Sequence, residues 1–194
     1  QPVQFHAADG VTIAATYYHA GGAAPAVVLV HMFTRTKDDW RPFAERLQAS
    51  GWDTIAVLGS AALERAMGLD RGFRIYDDEL PALKGIMYQA PADDVVRRAL
   101  VAVDDRPDPA APLFLFAHFY DPHSPYEPPN EFAIRYADRA DPRTVPTAGE
   151  PFRAFMVQVR AEQADPADLS HVANLYLAEV AFVDDQVGRL LAGL

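Results

Sequence analysis

Hydrophobic and polar positions change their period several times along the chain. Residues 3–6 and 11–18 (VTIAATYY) carry β-branched and aromatic side chains in strand-like order, and Asp9-Gly10 between them is a hairpin signal. Ala26–His31 (AVVLVH) and Thr54–Leu58 (TIAVL) are unbroken apolar runs, the mark of strands buried on both faces. Between them Trp40, Phe43, Ala44 and Leu47 recur at helical spacing. They predict a helix over 39–50, with Asp38 or Asp39 as its cap and Gly51 just past its end. Hairpin, strand, helix and strand together spell an α/β opening.

The second half is less regular. Residues 63–80 hold no sustained period and contain Gly68 and Gly72, so a short helix followed by a loop is expected there. Pro91 at the first helical position, with Asp93 and Asp94 in the first turn, predicts a helix. Its buried stripe is Val95, Val96, Ala99, Leu100 and Val103. Leu113–Phe119 (LFLFAHF) is the strongest strand signal in the chain, and the Pro-rich loop 121–129 follows it. A helix over 152–162 comes next. Asp165 or Asp168 then starts a long one, lined on one side by Leu169, Val172, Leu175, Tyr176, Val180, Val183, Val187, Leu190 and Leu191. The fold class expected is α/β, with a mostly parallel central sheet from 26–31, 54–58 and 113–119 and helices on its faces.

Composition narrows the function. The 194 residues carry a net charge of −10 with His neutral, which disfavours a phosphate-backbone partner, so no nucleic acid is expected. Cys is absent, which removes disulfides, thiolate metal sites and cysteine nucleophiles together. No apolar run is long enough to cross a bilayer. No basic-then-apolar leader opens the sequence at Gln1, and neither compartment nor oligomeric state can be read from it.

Two strand ends carry candidate chemistry. At His31-Met32-Phe33, backbone N–H groups just past a buried strand can form an oxyanion hole, while His31 taken alone reads first as a buried side chain hydrogen-bonded to backbone. With its DG hairpin, AVVLVH strand, TRTKDDW loop and WRPFAERLQASG helix, the stretch over about residues 3–57 resembles α/β-hydrolases of the dienelactone-hydrolase type. That family has Gly where Met32 stands. It also needs a G-x-S-x-G elbow, and none of Ser50, Ser60, Ser124 or Ser170 lies in one. Carboxyl-ester hydrolysis is therefore only an alternative.

The second strand end is His118–Tyr126, where two imidazoles and a carboxylate within six residues suit a metal or an anionic ester, or a purely structural pair. PLFLFAHFYDPHSPYEPPNEFAIRY resembles the middle of sulfatases in the alkaline-phosphatase-like superfamily. GWDTIAVLGSAALERAMGLDRGFRIYDDEL, PADDVVRRALVAVDD and YLAEVAFVDDQVGRLLAGL extend the resemblance in order over about residues 44–194. It implies that His123 contacts a sulfuric (or phosphoric) ester, small-molecule or glycan, with His118, Asp121 and Tyr126 as further substrate-binding residues. Tyr176, Glu179 and Asp184 match the family's long helix and read as structure, a buried face backed by a solvated acidic one.

The family also implies a divalent cation, calcium or magnesium, and a formylglycine made from Cys or Ser in C/S-x-P-x-R. The sequence has no such motif, and no metal ligand is assigned in it. The two resemblances overlap at Ala44–Ala56, so the chain reads as a hybrid of a head over 1–56 and a sulfatase-like part over 57–194. It forms one α/β unit, a three-layer sandwich incomplete relative to either parent. The expected function is that of a partial, inactive sulfatase-type hydrolase; the alternatives are an esterase and a non-catalytic binding module or non-functional fragment.

Overall fold

The computed structural model describes residues 2–6, 12–16, 27–28, 41–80, 82–84, 87–136, 145, 147 and 149–194. Strands β1 (Pro2–His6) and β2 (Thr12–Thr16) pair antiparallel, with Pro2 opposite Thr16 and His6 opposite Thr12. This is the expected hairpin; its Asp9-Gly10 turn lies outside the described residues. The central sheet has the order β3-β8-β4-β5 and is parallel throughout, from β3 (Val27–Val28), β8 (Leu113–His118), β4 (Asp53–Leu58) and β5 (Ile75–Asp77). The described part of the 26–31 run is thus a strand beside Phe114 and Leu115.

Every residue of β4 is buried, which explains why its sequence is a continuous apolar run rather than an alternation. Ile55 and Val57 face helix α2 (Ala92–Asp104) together with Leu113, Leu115 and Leu190. Ala56 and Leu58 face the opposite way, onto Tyr76, Phe73, Leu69 and Leu63 of the short helical turn Ala61–Leu63. Helix α1 (Arg41–Ala49) ends in Gly51, whose φ of +82° allows Trp52 N–H to reach back to Leu47 O and Gly51 N–H to Gln48 O.

Several expectations need correction. Residues 75–77 form a strand rather than loop. Three residues are too few to show a period, and the pairing of Ile75–Asp77 with Ile55–Val57 overrides the acidic local sequence. A small antiparallel pair, β6 (Ala82–Lys84) with β7 (Met87–Gln89), and helix α3 (Asn130–Tyr136) had no signal in the pattern. Pro91 is the extended residue before α2 (ψ 160°), so the helix begins at Ala92, one residue later than expected. Helix α4 spans Gly149–Arg160.

The longest helix, α5 (Pro166–Gly193), starts as expected at Asp165, whose side chain accepts from Ala167 N–H at 2.8 Å. Its buried face differs in part: Ala178, Glu179, Phe182 and Gln186 are covered along with the expected Leu190, whereas Leu169, Tyr176 and Val180 are 39%, 42% and 38% exposed. Phe182 and Ala178 pack against Phe132 of α3 and Ala92 of α2. The core therefore meets α5 from Ala178 onward, and Leu169, Tyr176 and Leu177 before it stay at the surface.

Candidate functional site

Ligands of open parallel sheets bind beyond the carboxyl ends of the strands. Here that edge is formed by Leu58 of β4, His118 of β8 in register with it, and Asp77 of β5. Arg98 of α2, itself buried, ties the edge together. Its Nη2 donates to Leu58 O at 2.6 Å, its Nη1 to Asp77 Oδ1 at 2.6 Å and its Nε to Asp94 Oδ2 at 2.9 Å. Gly59 follows β4 so closely against β8 that a Cβ there would lie 2.7 Å from His118 O and 3.1 Å from Tyr120 N. Buried Ser60 then caps the next turn by accepting from Ala62 N–H at 3.2 Å, and Gly59 O accepts from Ala90 N–H at 3.0 Å.

From this edge the chain runs into the loop 119–129, with cis bonds at Asp121-Pro122 and Ser124-Pro125. The rings of His118 and Tyr120 lie 6.4 Å apart, and those of Tyr120 and His123 only 4.4 Å apart at 32°. His123 N–H donates to Tyr120 O at 3.0 Å, closing a turn that brings the two rings together. His123 Nδ1 lies 2.7 Å from Ser124 O. A carbonyl oxygen only accepts, so Nδ1 carries a proton and Nε2 is the nitrogen left for other partners. The His123 side chain is exposed. Burial holds the Tyr120 phenol above its ordinary value, so it stays neutral.

The far half of the loop is anchored elsewhere. Tyr126 N–H donates to Thr147 Oγ1 at 3.1 Å, and the Tyr126 ring meets Phe152 at 6.0 Å and Tyr176 at 5.9 Å, both edge to face. Burial, then the neighbouring Glu179 and Tyr176, raise the Tyr126 hydroxyl. Glu127 N–H donates to Glu179 Oε1 at 2.6 Å. Glu179 is 1% exposed, which corrects the expectation of a solvated acidic face at that position; Asp184 does face solvent.

Of the residues singled out from sequence, His118 and His123 thus share one run of rings with Tyr120 between them. Asp121 turns to a cavity of about 200 Å³ walled by four acidic residues, Asp93, Asp121, Glu127 and Glu179, with Phe182 and prolines. Among the described residues no cationic side chain lines it, which disfavours an anion there. Tyr126 belongs to the aromatic contact with α4 and α5, and His31, Met32 and Phe33 lie outside the described residues. Tyr120 escaped the sequence reading, and Glu179 was read only as part of the long helix. Tyr120 could have been noticed from its place between two strand-end imidazoles; the burial of Glu179 against the loop had no signal. A second concavity of about 230 Å³ lies at the opposite edge of the sheet, where Arg74 and Asp53 are spent on each other.

The Sulfatase family model matches residues 43–194, nearly four-fifths of the chain. The chain belongs to the sulfatase family. No curated protein matches it. This sulfatase-family chain is similar to a solved structure of a protein in complex with its substrate, D-glucosamine-2-N,6-O-disulfate. The two are 15% identical with a TM-score of 0.50, over 78% of this chain and 46% of that one, a likeness of fold. It is also similar, at 16% identity and a TM-score of 0.37, to an alkaline phosphatase superfamily protein from Vibrio parahaemolyticus, over 76% of this chain and 31% of that one. The chain thus spans less than half the length of either structure. The resemblance of residues 3–57 to dienelactone-hydrolase-type enzymes, and the hybrid built on it, gain no support from these matches.

Sulfatases are generally metal-dependent. Among the described residues no three His, Asp or Glu side chains are grouped to hold an ion, so the described donor set does not fit one.

Proposed function

We propose that this chain binds sulfuric monoesters through the loop 118–126, with His123 as the group in contact with the sulfate. The observation that carries this reading is the exposed His123 imidazole at the carboxyl edge of a parallel sheet, its Nδ1 held by Ser124 O, in a chain of the sulfatase family. Sulfate oxygens only accept hydrogen bonds. Contact at Nε2 therefore needs a proton on that nitrogen as well, which makes the ring cationic and the bond charge-assisted. The sulfated-sugar complex of the fold neighbour supports this choice of ester, and the acidic lining of the cavity behind Asp121 disfavours an anion on that side of the loop.

Turnover is not part of the proposal for these 194 residues. There is no Cys, and none of the four serines begins S-x-P-x-R, so the attacking group that the family resemblance implies has no counterpart in this sequence. The test is equilibrium binding of 4-nitrophenyl sulfate, followed in the same samples for release of nitrophenolate. The expected result is saturable binding without release, and a loss of about ten- to hundredfold in affinity in His123→Ala, the worth of one charge-assisted hydrogen bond. Equal affinity in His123→Ala would overturn the assignment, and steady nitrophenolate release would overturn the non-catalytic reading.

A further inference from the structure

We infer that Tyr120 is a positioning residue for His123, acting through its ring face rather than its hydroxyl; this rests on the reading of His123 as the sulfate-contacting group. A single hydrogen bond from Nδ1 to Ser124 O pins one atom of the imidazole and leaves the ring free to swing about that contact. A ring is fixed in space when its plane is fixed as well. The Tyr120 ring supplies that second restraint, a tilted ring contact with centroids 4.4 Å apart and planes inclined by 32°. The turn from His123 N–H to Tyr120 O holds the two residues in register, and Gly59, which has no Cβ to meet Tyr120 N, lets that turn sit close to the sheet edge.

With one edge tied and one face covered, Nε2 points in one direction before any ligand arrives. Preorganisation of this kind raises affinity by removing the cost of ordering the ring on binding. Tyr120 need not touch the ester to do this.

The experiment is nitrogen-15 and proton resonance spectroscopy of the histidine rings in the whole chain, with His123→Ala to assign the signals and methyl sulfate as a non-aromatic probe. In the wild type His123 is expected as the Nδ1-protonated form, with its carbon-bound ring protons displaced by the Tyr120 ring current. Tyr120→Phe keeps that displacement and the methyl sulfate affinity. Tyr120→Leu abolishes the displacement and weakens methyl sulfate binding about two- to tenfold, the range of one aromatic pair.

Unchanged ring-proton shifts in Tyr120→Leu, or their loss in Tyr120→Phe, would overturn the inference. Should Tyr120→Leu fail to fold, the wild type alone decides: no Tyr120 ring-current shift at His123 overturns it. A displaced His123 signal in a wild type that does not bind methyl sulfate would overturn the sulfate reading and leave the ring restraint standing.

Discussion

At Gly59 a single missing methyl group sets how closely two strand ends approach. The atoms that an added Cβ would meet, His118 O and Tyr120 N, belong to the backbone and have no rotamer to escape into. Gly59→Ala is expected to cost about 1–3 kcal/mol and to move the His123 ring signals, because Tyr120 would be pushed along the edge. Gly188 is the contrast. It sits inside α5 with nothing within 4 Å of its missing Cβ, so Gly188→Ala should stabilise the chain by about 0.5–1 kcal/mol through helix propensity. Thermal unfolding of the two variants checks both signs, at about 2–4 °C per kcal/mol for a chain of this size.

Among the elements, α5 is the one whose role differs most from its pattern. It reaches the site through Glu179, which holds the far end of the loop at Glu127 N–H. Glu179→Ala removes that acceptor, and exchange of the Glu127 amide with solvent should accelerate by about five- to hundredfold, corresponding to about 1–3 kcal/mol. Glu179→Gln keeps an acceptor oxygen and should restore most of the protection. Unchanged exchange in Glu179→Ala would show that the loop is held by its prolines and the Tyr126 contacts instead.

What sequence reveals about these elements depends on where burial comes from. Strand β4, the first half of β8 and helix α2 were legible because their burial is continuous and leaves an unbroken run or stripe. The exposed Leu169, Tyr176 and Val180 misled because apolar spacing marks a helix face without saying whether anything covers it. Strand β5 was hidden because three residues owe their conformation to a neighbour. The same division holds in the site. His118 and His123 were visible through their place after a strong strand. The Tyr120 ring contact and the burial of Glu179 depend on a turn and on a helix fifty residues away, and neither leaves a mark in local spacing.

For the molecule as a whole, the two edges of the central sheet are braced separately. At the amino edge, Asp53 is 9% exposed and accepts from Arg74 at 2.5 and 2.8 Å and from Arg106 at 3.2 Å. Burial pushes its carboxyl up, but the two guanidinium groups outweigh that and hold it below the ordinary carboxylate value. A depressed value in the folded state means that the unfolded chain binds more protons around pH 4. The stabilisation is therefore complete above that pH and disappears as pH falls through the folded value.

Asp53→Asn should then lower stability at neutral pH by about 3 kcal/mol, since two guanidinium groups lose their charged partner, and flatten the acid limb of the stability curve. The carboxyl edge with Leu58 and His118 lies about 17 Å away along β4, braced by Arg98. At that separation Asp53→Asn should leave the His123 ring signals in place, and its stability loss should add to that of Gly59→Ala within about 0.5 kcal/mol. Urea unfolding of the two single variants and the double variant measures this. A coupling well beyond that margin would mean that β4 transmits strain from one edge to the other, so that the His123 site depends on the whole sheet rather than on its own edge.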